Sequence, residues 1–327
     1  MKIAILGAGA WGTALAIALS RHHEVALWTR AAAGREALRA TRASRYLTDA
    51  RLPDSVRIAG SVADATAGDA LVLVATSTAG LRETCAALGK PPPAGLLWAC
   101  KGFEQDTRCM PHEIVAQALP GAMRVGALSG PSFADEVARG LPTALVIASH
   151  DAEFATQAMA ALNQSRLRVY SSNDVVGVEL GGAVKNVVAI AAGIADGLEL
   201  GRNARAALVT RGLAEIVRLG IAMGGQAETF MGLAGLGDLV LTCTGELSRN
   251  REVGLGLARG ETLEGILDRL GHVAEGVRSA DAVVTLAATH HVEMPIAAAV
   301  HRVLFGGLGA REAVGALLSR DPRPELR

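Results

Sequence analysis

The stretch GGAVKNVVAIAAGI, residues 181–194, places one ammonium among small apolar residues. Between Glu179 and Asp196, Lys185 is the only charged residue, and helical spacing surrounds it with Gly181, Gly182, Val188, Ala189 and Ala192. A lysine on such a face either threads its stem out to water or holds its charge in a pocket for a chemical purpose. In the second case burial disfavours the ammonium and draws its pKa down from about 10.4 toward the working pH.

Four other stretches pair polar side chains with loop or helix-end signals. In CKGF, residues 100–103, Lys101 follows an apolar run and can contact an anion or a carbonyl. In SGPSFADE, residues 129–136, Gly130, Pro131 and Ser132 form a turn that can open a helix and present backbone N–H groups. GLAGLGDLVLTCTGELSRNREVG, residues 232–254, holds Asp238 between apolar neighbours and then Ser248, Arg249 and Asn250 in succession. A guanidinium fork flanked by neutral donors suits a phosphate. HVAEGVRSA, residues 272–280, contributes Glu275. Taken alone, each also reads as turn chemistry or a solvated helix start.

KIAILGAGAWGTALAIAL adds a phosphate loop, with Gly7, Gly9 and Gly12 in GxGxxG spacing between an apolar strand and a helical run. The loop delivers a pyrophosphate to the free N–H groups of the helix N-terminus. The next strand ends Trp28-Thr29-Arg30, and no acid follows before Glu36. An NAD-preferring site would set an acid there for the ribose hydroxyl. Arg30 can instead neutralise a 2′-phosphate, which favours NADPH while leaving NADH usable; the plain alternative is an exposed arginine after a strand.

These residues must be positioned by a scaffold, and the pattern of the chain supplies one. β-rich runs at 2–6, 24–28, 56–60, 70–76, 95–100, 124–130 and 143–149 alternate with helical stretches, and 167–172 adds an edge strand. From about residue 175 the pattern becomes helical throughout. The expected fold is α/β, an N-terminal Rossmann-like doubly wound sheet in residues 1–176 followed by an all-helical substrate-binding domain in residues 177–327. The junction lies within 173–180, inside the start of a long helix.

Composition excludes several alternatives. The chain has 327 residues, half hydrophobic, and 32 basic against 32 acidic side chains, so global charge offers no argument for nucleic acid or an anionic membrane. The four cysteines form no CxxC pair and no signal peptide precedes the first strand, which reads as a reduced, cytoplasmic protein. His112-Glu113 is not followed by the second histidine of HExxH, and no GxxxxGK[ST] is present, so neither a metal enzyme nor a nucleotide hydrolase is expected. The eight histidines read as surface or packing residues. The longest apolar run, 180–195, contains Lys185 itself and is not expected to span a membrane. Residues 206–225 read as an exposed glycine-rich helix that leaves a homodimer open, and the tail 319–327 reads as frayed.

GAGAWGTALA, CKGF, SGPSFADEV, ELGGAVKNVVAIAAGIADGL, NARAALVTRGLAEIVRLG, TFMGLAGLGDLVLTCTGELSRNREVG and VAEGVRSA, in this order, resemble the bacterial NAD(P)-dependent glycerol-3-phosphate dehydrogenase family. The lysine-asparagine helix and the GLAGLGDL…SRNR block are the most specific elements. The resemblance implies reversible reduction of dihydroxyacetone phosphate to sn-glycerol 3-phosphate, feeding glycerophospholipid synthesis in the cytoplasm. It implies Lys185 as the proton donor or acceptor, and Lys101, Gly130, Ser132, Asp238, Ser248, Arg249 and Asn250 around the substrate. It further implies Ala10, Trp11, Arg30, Tyr46, Lys101, Ala134, Arg249, Val273 and Glu275 as cofactor contacts. Ala10 departs from the family's frequent serine, removing a hydroxyl near the pyrophosphate and bearing on affinity rather than on function. The rival readings are another two-domain hydroxyacid dehydrogenase, or a dinucleotide-binding sensor without catalysis.

Overall fold

The computed structural model describes residues 1–271 and 274–321. Val273 and the tail residues 322–327 lie outside the described residues.

Eight strands form one sheet: β1 (Lys2–Leu6), β2 (Glu24–Trp28), and, past the hairpin β3 (Ala43–Ser44) and β4 (Leu47–Arg51), β5 (Arg57–Ile58), β6 (Leu71–Val74), β7 (Leu96–Trp98), β8 (Val125–Ser129), β9 (Thr143–Ala148) and β10 (Leu167–Ser172). Their order is β10-β9-β8-β7-β6-β1-β2-β5, parallel except at the β8–β9 pair. Strand alternation sends Ile3, Ile5, Leu71 and Leu73 to one face of this sheet and Ala4, Leu6, Val72 and Val74 to the other, each covered by helices. The chain leaves β1 toward β2 and β5, then returns to place β6 on the other side of β1. That reversal opens a crevice at the carboxyl ends of β1 and β6, where ligands of doubly wound sheets sit.

The hairpin β3–β4, a separate two-stranded sheet, was not foreseen: ASRYLTDAR carries too many charges to show a strand pattern, and pairing across Arg45-Tyr46 alone defines it. Run 56–60 contributes only Arg57 and Ile58 to the sheet, as an edge against β2.

After β10 every described element is a helix. The central helix, Val175–Gly197, is buried over nearly its whole length, because Gly, Ala and Val let other helices approach from all sides. By length and composition alone it could cross a membrane, but 94% of that window is buried inside the fold. Its first turn still belongs to the sheet, since Val175 and Val178 join one sheet-face core, while residues from Leu180 onward build the helical core. Helix Gly201–Ala222 corrects the expectation for 206–225. Gly212 faces inward onto Val188 and Gly220 onto Phe230, so exposure is confined to the other side of the helix.

Candidate active site

Lys185 does not snorkel. Its stem runs among the small residues of the central helix, and its Nζ donates to Asp238 Oδ1 and, at 2.7 Å, to Thr242 Oγ1. Thr242 in turn donates to the Asp238 carbonyl oxygen at 2.6 Å, so aspartate and threonine, one helical turn apart on helix Asp238–Thr244, hold the ammonium together. The other carboxylate oxygen of Asp238 accepts from Lys101 Nζ at 2.6 Å, and Lys101 also donates to the Gly130 carbonyl at 3.2 Å. Side-chain exposure is 8% for Lys185, 2% for Asp238 and 21% for Lys101, so Lys101 forms the open side of the cluster.

The glycines before Lys185 make this meeting geometrically feasible. A Cβ on Gly181 would stand 2.7 Å from the Ala234 carbonyl oxygen in the π-helical turn Leu233–Gly237 that leads into Asp238. On Gly182 it would stand 3.3 Å from the Lys101 stem. The segments that carry Asp238 and Lys101 therefore both rest directly on the helix of Lys185.

Burial draws the Lys185 ammonium down to about 8, against the Asp238 carboxylate, which favours the charge. Burial also opposes ionisation of Asp238, but Lys101 and Lys185 override it and hold that carboxyl below its ordinary value. Two ammoniums around one carboxylate leave one net positive charge in a largely dry site.

A second network begins at the neighbouring residue. Asn250 Nδ2 donates to Asn186 Oδ1 at 2.8 Å, and Asn250 Oδ1 accepts the Gly276 N–H at 2.9 Å. Asn186 itself donates to the Gly182 carbonyl at 3.2 Å. Helix Arg249–Ala258 reaches this position by a glycine crossing, where a Cβ on Gly254 would meet the Ile190 carbonyl at 2.0 Å. Ser248 caps that helix, accepting from the Arg251 N–H at 3.3 Å. Arg249 stands exposed on its first turn, and its charge reaches Glu275, whose carboxyl burial raises while Arg278 and Arg249 oppose. The structure thus brings the SRNR block, Glu275 and the lysine-asparagine pair to one place.

At the sheet edge, Gly7 has φ +123°, and a Cβ there would clash with Ala75 at 2.6 Å, while one on Gly12 would lie 1.9 Å from the Gly7 carbonyl. Gly9, by contrast, has nothing within 4 Å and opens the helix Ala10–Leu19 with Trp11 in its first turn. Arg30 follows β2, pairs with Glu83 at 2.5 Å and is largely exposed. Tyr46 sits at the β3–β4 turn beneath the Arg45 guanidinium, 4.6 Å from the ring centre. Ser132 donates to the Gly130 carbonyl at 3.0 Å, and Ala134 starts helix Ala134–Ala138. Gly102, just past Lys101, is flanked by Thr78, Glu275 and Ser279. Among the described residues the hydroxyls of Thr76, Thr78, Ser129 and Ser279 are buried without a hydrogen-bond partner.

Sequence reasoning missed Thr242, whose only signal is its spacing of four from Asp238 on one helix. It also missed Glu179. That carboxylate, 3% exposed, accepts Trp98 Nε1 at 2.7 Å and His112 N at 2.9 Å, and faces His112 Nδ1 at 2.6 Å. His112 is accordingly a specific partner rather than a surface histidine.

Both halves of the chain match one family of enzymes. The sequence profile for the NAD-dependent glycerol-3-phosphate dehydrogenase N-terminus matches residues 2–155, and that for the C-terminus of the same enzymes matches residues 174–315. Glycerol-3-phosphate dehydrogenase [NAD(P)+] of Herminiimonas arsenicoxydans is 56% identical over 330 residues, covering all of both chains, and that of Thiobacillus denitrificans is 55% identical over 328 residues with the same coverage. The crystal structure of glycerol-3-phosphate dehydrogenase from Coxiella burnetii superposes with a TM-score of 0.92 at 41% identity, over 98% of this chain and 99% of that one. With both halves matched, and with the lysine-asparagine helix and the SRNR block assembled in one cluster, this chain belongs to the NAD-dependent glycerol-3-phosphate dehydrogenase family.

Proposed function

We propose that the protein is an NAD(P)H-dependent oxidoreductase that reversibly reduces dihydroxyacetone phosphate to sn-glycerol 3-phosphate. The observation that carries the reading is the buried Lys185–Asp238–Lys101 cluster beside a phosphate-clamp candidate, at the carboxyl edge of a dinucleotide-type sheet.

The residues present fit a dinucleotide. Gly9 leaves open space where a pyrophosphate approaches backbone N–H groups, between two glycines that are tightly packed. Arg30 stands after β2, where a 2′-phosphate would lie, which suits NADPH and does not exclude NADH. The orphaned hydroxyls of Thr76, Thr78, Ser129 and Ser279 supply donors at the same edge. The bound nicotinamide supplies the hydride; the proton and the charge stabilisation come from the protein.

Each lysine has three N–H donors and uses two on the contacts above, so one N–H of Lys185 and one of Lys101 remain for the carbonyl oxygen of the substrate. Their net charge stabilises the developing alkoxide. With its pKa drawn to about 8, Lys185 releases a proton to that oxygen more readily than an ordinary lysine and recovers one in the oxidising direction. Asp238 and Thr242 keep it aimed. Arg249 and Ser248 hold the phosphate, and the Asn186–Asn250–Gly276 chain fixes the helix that presents them.

Three further assignments are part of this reading. The dinucleotide-binding unit takes residues 1–176 and the helical unit 177–327, supported by the change of core between Val178 and Leu180. The chain forms a homodimer through an apolar groove of about 1120 Å³ among helices Gly201–Ala222, Pro295–Phe305 and Ala310–Leu318, where Leu200, Met231 and Leu318 stand exposed. It works in the cytoplasm, which suits its four free cysteines.

The test is the initial rate of NADPH and NADH oxidation driven by dihydroxyacetone phosphate, in wild type and Lys185→Ala. Wild type turns over; the variant loses about 10²- to 10⁴-fold in kcat while still binding NADPH. Wild-type NADPH oxidation absent with dihydroxyacetone phosphate but present with an oxoacid would assign the protein to the hydroxyacid dehydrogenases instead.

A further inference from the structure

The segment that carries Lys101 runs from the end of β7 to helix Pro111–Ala118, and one carboxylate holds both of its ends. Glu179 accepts Trp98 Nε1 at 2.7 Å from the last residue of β7, three positions before Lys101. It also accepts the His112 N–H at 2.9 Å and contacts His112 Nδ1 at 2.6 Å, at the first turn of the following helix. Between these anchors Phe103 and Met110 are buried in the helical core and pin the backbone on either side of the exposed turn 105–108. Glu179 lies six positions before Lys185 on the central helix, about 9 Å along its axis. The two lysines that meet at Asp238 therefore hang from elements that are joined a second time, outside the site, at Glu179.

Burying a carboxylate among Val178, Leu180 and the sheet-face core is a poor way to gain stability alone, because a well-packed apolar residue serves that end as well or better. What the carboxylate adds is direction: three fixed contacts on two sides of one loop. We propose that Glu179 is a positioning residue, which sets the Lys101 segment against the central helix and thereby fixes how Lys101 and Lys185 converge on one substrate oxygen. The role rests on the reductase reading above. It is mechanical rather than electrostatic, so a neutral group with the same contacts serves. Glutamine meets that condition: its carbonyl oxygen accepts from Trp98 and His112 N, and its amide N–H donates to His112 Nδ1 in the other tautomer.

The experiment measures kcat and KM for dihydroxyacetone phosphate, together with the NADPH Kd by fluorescence titration, for the full chain in four forms: wild type, Glu179→Gln, Glu179→Leu and Trp98→Phe. Circular dichroism establishes folding of each. Glu179→Gln retains kcat within about threefold of wild type. Glu179→Leu loses at least about tenfold in kcat, in keeping with the sensitivity of catalysis to displacements near 1 Å, while the NADPH Kd moves by less than about twofold. Should the leucine variant not fold, Trp98→Phe decides, because it keeps a buried aromatic ring while removing the N–H that Glu179 accepts; its kcat falls by about three- to tenfold at unchanged NADPH Kd. Wild-type kcat in folded Glu179→Leu or in Trp98→Phe overturns the positioning role, as does a glutamine variant as impaired as the leucine one. A wild type that does not turn over dihydroxyacetone phosphate overturns the reductase reading itself, and this role falls with it.

Discussion

Lys185 and Asp238, 53 positions apart in the chain, meet as a buried ion pair in which the ammonium donates to one carboxylate oxygen while Lys101 takes the other. The arrangement explains how a lysine can be poised for proton transfer and still remain charged at neutral pH. Burial pulls its pKa down, the carboxylate pulls it back, and the balance falls near 8.

A pH dependence follows with a definite sign. The proton donor in the reducing direction is the ammonium, so kcat for dihydroxyacetone phosphate reduction falls as pH rises through about 8, whereas oxidation of glycerol 3-phosphate rises there. In Asp238→Asn the anion that favours the ammonium is gone and Lys101 remains, so the descending limb moves to lower pH. The same substitution leaves two cations without their counter-charge and costs about 3–5 kcal/mol of stability. Rate profiles from pH 6 to 10 and thermal melts check both halves; a limb that moves upward contradicts the assignment.

Arg249 opens helix Arg249–Ala258 beside Ser248, on the exposed side of the cluster. As the phosphate clamp it makes a charge-assisted contact whose loss costs about 2–5 kcal/mol, hence about 30-fold to several thousand-fold in kcat/KM for Arg249→Ala. The penalty is confined to the phosphorylated substrate. Unphosphorylated dihydroxyacetone, a poor substrate for both proteins, shows nearly the same rate in each. Equal penalties with both substrates would remove Arg249 from the phosphate.

The crossing of Gly254 over Ile190 is too close for a side chain, since a Cβ would sit 2.0 Å from a backbone carbonyl that cannot rotate away. Gly254→Ala must push the two helices apart, destabilising by about 1–3 kcal/mol as overpacking does. Because Asn250 rides on the displaced helix, its bond to Asn186 lengthens and KM for dihydroxyacetone phosphate rises. Urea denaturation and steady-state kinetics on one preparation test the pairing of these effects; a stability loss at unchanged KM separates the crossing from the site.

Glu215 is a buried carboxyl that accepts the N–H groups of Ile296 at 2.8 Å and Ala297 at 3.2 Å, and burial lifts its pKa to about 7 from an ordinary 4.5. Its folded-state pKa lies above its unfolded one, so its contribution to stability is fully present below about 4.5 and is lost as pH rises through about 7. Glu215→Gln cannot ionise. Relative to wild type it gains stability between pH 5 and 8, by up to about 3 kcal/mol. Melting temperatures of both proteins across that range are the measurement, and parallel curves would show that the carboxyl does not titrate there.

The sheet was legible because strands buried on both faces leave continuous apolar runs, and Gly7, Gly9 and Gly12 mark their junction with the first helix. The hairpin at Ala43–Arg51 was not, since two-residue pairing leaves no period to read. The inward face of helix Gly201–Ala222 was misread for a related reason: glycine looks like exposure in sequence, whereas Gly212 and Gly220 are small because Val188 and Phe230 press on them. Glu179 escaped notice because an acid at the start of an apolar helix reads as a solvated end until Trp98 and His112 are folded onto it.

By itself, the sequence determined the phosphate loop, the change from alternating to helical pattern near residue 175, and the oddity of one lysine on a small-residue helix, because each depends on spacing within a single element. The tertiary structure alone decided that Lys185 faces Asp238 rather than water, that Lys101 shares the same carboxylate from 137 positions away, and that both lysine-bearing elements are tied again at Glu179. Those are properties of pairs of elements brought together by burial, and burial is settled only when the whole chain packs.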